Sequence, residues 1–175
     1  MKTITKAFRK LYGKPCWGTS WYPSPKLNFG KPYLEIREPG LLPPYSSKSS
    51  RKLLSRRRVT VRGEWRLLIW HCHWKIFSKS KLLATDLSTH KKIEDAICSL
   101  SGERLIKVHV NSNGRSTRFA FDLGGVVETM DIGKRDQWLL YEPSGYVLVL
   151  RGDGLCHHQR GNVSRDKLKW RALEI

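Results

Sequence analysis

The sequence predicts an α+β fold: a mostly antiparallel β-sheet, laid out as a meander that is open or curled toward a barrel, with one helix packed on it. Between Leu105 and Arg151, five short segments alternate apolar and polar residues and are separated by turn residues. Ser88–Leu100 instead has an apolar stripe of helical period, with capping residues in front and Gly102 behind. No repeat at the spacing of solenoids or propellers is visible. The chain divides into a basic, Pro- and aromatic-rich extension over 1–58, packing partly on the core, and a β-rich core domain over 59–175 with its helix near 89–101.

In chain order, residues 1–11 put Ile4, Phe8 and Leu11 on one helical face. A helix this short is marginal in water, so docking on the body is the expected role. Five prolines over residues 15–39 exclude a long helix there. Within that stretch Tyr33–Arg37 reads as a short strand, and the surrounding aromatics pin irregular backbone onto a sheet. Arg58–Arg62 alternates strictly, Gly63 interrupts, and Glu64–Phe77 continues. In that run Trp65, Leu67, Ile69, His71 and His73 share one face, and Leu68, Trp70, Cys72, Trp74 and Ile76 the other. Two largely apolar faces predict a central strand covered on both sides.

Ser88 or Thr89 can cap the helix that Ile93, Ala96, Ile97 and Leu100 bury. Beyond it, Leu105–Val110 turns at Asn113–Gly114 into Thr117–Leu123, the strongest local hairpin signal in the chain. Val126–Ile132, Gln137–Glu142 and Tyr146–Arg151 follow, then a turn at Asp153–Gly154 into Leu155–His158. Ser164–Ile175 reads as a short helix or a closing strand.

Charge is the second signal. The 175 residues carry 33 Lys/Arg and 15 Asp/Glu, a formal net charge of +18. Residues 1–60 hold 14 of those cations and only 2 acids. Ser46–Arg58 packs Lys48, Arg51, Lys52, Arg56, Arg57 and Arg58 into 13 residues with no acid. Preceded by Gly40 and Pro43–Pro44, it predicts an exposed loop or linker. Clustered Lys and Arg gain affinity for nucleic acid by releasing condensed counterions, and exposed aromatics add stacking on single strands. Trp17 and Trp21 are the stacking candidates.

Specific catalytic signals are absent. There is no GxSxG, no GxGxxG and no GxxxxGK[ST]. Four cysteines without a CxxC predict free thiols in a reducing compartment. His71 and His73, two apart on a strand, can share a metal if His157 or His158 adds a third ligand. The spacing matches no known ligand set, so neither metal nor cofactor is expected. Met1–Leu11 lacks the apolar stretch and cleavage site of a secretory signal, and no apolar run is long enough to span a bilayer. A cytoplasmic protein with no membrane span is the expectation.

Asn28–Pro39, Val59–Ile76, Phe121–Gly125 and Gln137–Asp153 together resemble uncharacterised small bacterial β-rich proteins, some of them immunity-type proteins that accompany secreted toxins. The resemblance lies in strand rhythm and turn residues and transfers no catalytic residue. It implies a non-enzymatic module that plugs a partner protein, and the basic charge would require that partner to be acidic. The functional expectation is therefore a non-enzymatic domain contacting nucleic acid or another polyanion through its basic N-terminal region. An immunity-type interaction module is the alternative, and a metal-dependent enzyme comes third.

Overall fold

Ile4, Ala7, Phe8 and Leu11 recur at helical spacing, and the helix α1 (Lys2–Arg9) with the turn after it buries all four. A computed structural model describes residues 2–21, 24–40, 47, 51–52 and 54–173, and for Lys2 and Trp21 the backbone alone. After α1 come β1 (Cys16–Trp21), β2 (Pro25–Arg37), β3 (Arg58–Ile69), β4 (His73–Ser78) and β5 (Lys81–Thr85). The second helix, α2 (His90–Cys98), precedes β6 (Leu105–Val110), β7 (Ser116–Phe121) and β8 (Gly125–Met130). The chain ends its described part with β9 (Asp136–Tyr141), β10 (Tyr146–Arg151), β11 (Leu155–Arg160) and the two-residue β12 (Arg171–Ala172).

Every strand pairing is antiparallel, as the alternation implied, but the strands divide into two sheets. One runs β1-β2-β3-β9-β10-β11-β12 and the other β5-β4-β8-β7-β6. Neither closes on itself, so the barrel form is corrected to two open sheets. Two helices pack on them rather than one, because α1 joins α2. The expected meander is likewise two: β6-β7-β8 in the smaller sheet and β9-β10-β11 in the larger. Residues 131–135 carry the chain across, with Gly133 in the left-handed region at φ +79°.

The second crossing explains a misread run. Trp65, Leu67 and Ile69 are buried from β3, whereas Cys72, just before β4, and Trp74 and Ile76 within it are buried next. Buried positions switch from odd to even at Trp70–Cys72, where the chain leaves one sheet for the other. Two strands, each with one face on the core, therefore replace the single central strand covered on both sides. His71 and His73 consequently point outward and are exposed.

Both sheets bury their inner faces in one core. Phe8 of α1 lies between them, its ring 5.7 Å from Phe119 of β7 and 5.4 Å from Trp138 of β9. Trp138 donates its indole N–H to Thr117 Oγ1 at 2.9 Å, a polar link between the sheets at the centre of apolar packing. A second link runs from the Thr129 hydroxyl to Gln137 Oε1 at 2.9 Å, and Gln137 Nε2 donates to the Gly114 carbonyl at 2.9 Å. Buried polar groups need such partners, since an unpaired one costs about 1–3 kcal/mol.

α2 buries Ile93, Ala96 and Ile97 as its period required. Thr89 occupies its N-cap, but no side-chain bond is made there. The other candidate, Ser88, accepts from the Thr85 N–H at the end of β5 instead, at 3.0 Å. All four cysteines are free thiols. Burial, reinforced by Glu103, pushes the Cys16 thiol up to about 12; burial and then Asp86 do the same for Cys72. Only Cys98 is exposed. Among the described residues no helix is long and apolar enough to cross a membrane.

Candidate polyanion interface

β2 is longer than the Tyr33–Arg37 strand that alternation predicts, because it begins at Pro25. Its inner half, Lys26–Phe29, pairs with β1 on one side and Trp65–Leu68 of β3 on the other. A bulge then falls between Phe29 and Pro32, where Gly30 and Lys31 lie opposite Glu64 alone. Beyond it, Pro32–Arg37 pairs with Arg58–Gly63 alone: β1 stops at Pro25–Phe29, and β9 meets only Arg66–Ile69. The result is a two-stranded arm leaving the larger sheet, with both edges unpaired among the described residues.

Gly63 is the residue that permits this base. A Cβ there would lie 2.8 Å from the Phe29 carbonyl oxygen and 2.8 Å from the Asn28 Cβ. Its N–H donates to the buried Asn28 Oδ1 at 3.1 Å, and Asn28 Nδ2 donates to the Gly18 carbonyl at 3.1 Å. Across the bulge, Lys31 N–H donates to Glu64 Oε2 at 3.1 Å. The expected interruption at Gly63 is corrected: β3 runs unbroken through Gly63, which pairs with Pro32, and the extra residue of the bulge lies in β2.

Register assigns the two faces of the arm. Leu34 sits opposite Val61 and Ile36 opposite Val59, so these four share one face. All are more than half exposed: Leu34 64%, Ile36 58%, Val59 59% and Val61 53%. Tyr33, Glu35, Arg37, Arg58, Thr60 and Arg62 occupy the other face. Glu35 Oε2 receives Arg62 Nε at 3.1 Å and Arg37 Nε at 3.3 Å. Burial opposes its ionisation, but the Arg62 hydrogen bond and the charges of Arg37, Arg62 and Arg66 outweigh that and hold the carboxyl below its usual range. Lys26 at the arm base is lowered as well, first by burial and then by the charges of Arg62, Arg66 and Arg58. Cations crowd here.

Of the predicted binding residues, Arg51, Lys52, Arg56 and Arg57 are exposed at the outer end of the arm, and Arg58 is half-buried in its first rung. Lys48 lies outside the described residues. Arg57 Nε reaches both carboxylate oxygens of Glu38, at 3.0 and 2.9 Å. The backbone bond from Gly40 N–H to the Leu54 carbonyl, at 3.0 Å, ties the two sides together beyond that pair. Of the segment read as a loop or linker, the described residues include a helical turn, with Arg51 N–H donating to the Ser47 carbonyl and Ser55 N–H to the Arg51 carbonyl at 2.9 Å each, and Arg58 opens β3. Between Pro32 and Gly63 the sequence holds 8 Lys/Arg and 2 acids, Glu35 and Glu38.

The stacking candidates stand on β1. Trp17 is half-buried, its indole N–H donating to the Gly30 carbonyl at 2.9 Å beside the arm base. Trp21 contributes backbone pairing with Pro25, and its side chain lies outside the description. The aliphatic face of the arm was missed. Its signal was present: Tyr33–Arg37 and Arg58–Arg62 alternate in matching fashion on either side of a polar insert, the pattern of a hairpin.

The histidines do not form one cluster. His73 lies on the smaller sheet, its Nδ1 2.7 Å from Asp86 Oδ2, while His158 lies on the larger, its Nε2 2.8 Å from Glu142 Oε1. His71 packs against Trp70 and His157 meets Trp170 edge-on, each with ring centres 4.6 Å apart. Among the described residues no three His, Cys, Asp or Glu side chains come together to hold a metal. His73 and Asp86 do line an open cleft of about 400 Å³ with His109, Arg118, Glu128 and Met130.

His157 has a buried Nδ1 without a partner. Burial lowers its pKa against the pull of Asp136, and His158 lowers it further. The unfolded chain then binds the proton better, so stability falls as pH drops through the ordinary histidine range near about 6.5. Melting temperature should decline from about pH 7.5 to 5.5, and His157→Gln should flatten that slope. Identical slopes for the two proteins would show that His157 is not responsible.

No protein-family model, curated protein or solved structure matches this chain.

Proposed function

We propose that this protein is a non-enzymatic binding domain that contacts nucleic acid or another polyanion through the basic arm of its N-terminal region. The observation that carries the reading is the charge of the arm: exposed Arg51, Lys52, Arg56 and Arg57 at its outer end, with Glu35 and Glu38 as its acids. Both carboxylates are already engaged by arginines of the arm itself. A phosphate-bearing polymer gains from such a surface by counterion release, whatever its base sequence. The salt dependence is correspondingly steep.

Titration of labelled single- and double-stranded DNA and RNA should show binding at low ionic strength that weakens about ten-fold or more between roughly 50 and 200 mM salt. Absence of binding to all of these, to heparin and to anionic lipid vesicles at low salt would overturn the reading. The strand edges of the arm, unpaired among the described residues, favour a second reading, an interaction module that pairs with an acidic partner protein. Stoichiometric co-purification of such a protein, with no response to nucleic acid, is the result that would favour it.

A further inference from the structure

Leu34, Ile36, Val59 and Val61 form an aliphatic face on an arm that is otherwise cationic. Their exposed surface is on the order of 400 Å², the size of the largest apolar patch on a typical monomer, which is often functional. That partner has to accept hydrocarbon on one face and positive charge at the tip. A nucleic acid neutralises the arginines but leaves the aliphatic face in water. A second copy would bring two chains of +18 together. Two such patches also bury less than the ~1,200 Å² of a stable interface.

We propose that the polyanion is an anionic lipid bilayer, into whose headgroup–acyl boundary the Leu34/Ile36/Val59/Val61 face of the arm inserts while Lys52, Arg56 and their neighbours meet lipid phosphates. The inference rests on the polyanion reading and names its partner class. The arm has the division of an amphipathic interfacial element, with aliphatic residues on one face and arginines on the other and at the end. Anionic headgroups attract each nearby Lys or Arg, and the attraction fades within a Debye length. No shape complementarity is required of a fluid surface, which suits a smooth row of branched aliphatic side chains. Depth is limited by the unpaired edges, whose backbone N–H and C=O groups must stay hydrated. The arm lies in the interface and does not cross.

The test uses the full chain with vesicles of phosphatidylglycerol and phosphatidylcholine in equal parts, and of phosphatidylcholine alone. The protein should co-sediment with the first and not the second. The double substitution Ile36→Thr/Val59→Thr, at exposed strand positions that Thr tolerates, should weaken vesicle binding about ten-fold or more. Its affinity for DNA should stay within about two-fold of the parent, since no phosphate contact is touched. Vesicle binding unchanged by the double substitution overturns the inference, and so does a dimer that this substitution splits without affecting vesicles. Binding of the parent to nucleic acid but not to anionic vesicles also overturns it and leaves the polyanion reading standing. Failure to bind vesicles, nucleic acid and heparin at low salt removes both.

Discussion

Trp138→Ala should lower the unfolding free energy by about 3–5 kcal/mol, the usual cost of emptying a large aromatic site in a packed core. The indole is fully buried and touches Phe8 at 5.4 Å and Phe119 at 6.0 Å between ring centres. It thus joins α1, the smaller sheet and the larger one, and its removal loosens three elements at once. Trp138→Phe separates packing from polarity. It keeps a ring against Phe8 and Phe119 but deletes the donor to Thr117 Oγ1, and should cost roughly 1–2 kcal/mol. Urea denaturation followed by tryptophan fluorescence and circular dichroism measures both. A loss below about 1 kcal/mol for Trp138→Ala would mean that this residue is not the centre of the core.

Lys52→Ala/Arg56→Ala should reduce affinity for a polyanion about 100-fold at roughly 50 mM salt and leave the melting temperature unchanged. Each phosphate contact contributes about 0.9 to the slope of log K against log salt, so the slope should become shallower by about 2. Both side chains are exposed and lie outside the core, which is why stability is spared. Lys91→Ala/Lys92→Ala on α2 serves as the matched control, removing the same charge from an exposed site on the body. Equal losses in the two double variants would mean that overall charge, rather than the arm, governs binding.

Much of the fold was legible because one face of nearly every strand is buried. Leu105–Val110 and Tyr146–Arg151 form strands with the predicted ends, and Asn113–Gly114 makes the hairpin its residues require. Ile93, Ala96 and Ile97 lie beneath α2 as their spacing demanded. What escaped was the division between sheets. At Trp70–Cys72 the chain changes layers and its buried positions change parity, and a reading of one continuous strand has no means to detect that. β1 and β5 escaped for another reason: Cys16–Trp21 and Lys81–Thr85 hold their places through pairing with neighbours rather than through alternation of their own.

The arm shows the same limit on the functional side. Its cations were evident from composition, because Ser46–Arg58 contains no acid. Its aliphatic face was not, because Leu34, Ile36, Val59 and Val61 look like core residues until the strands beside them stop. Burial depends on how far β1 and β9 extend, and those lengths are set by distant residues. His73 and Asp86 likewise meet only because β4 and the turn after β5 are folded together.

The position of Phe8 bears on how the molecule is assembled. Phe119 and Trp138, its aromatic neighbours, are each more than a hundred residues further along the chain. On a ribosome the opening helix therefore emerges long before anything exists to cover its apolar side. The local hairpins of β6–β8 and β9–β11 can form as they appear, whereas closure of the whole waits for this long-range contact. Such topology predicts slow acquisition of the final state and a translation intermediate in which the apolar side of α1 is uncovered and open to chaperones.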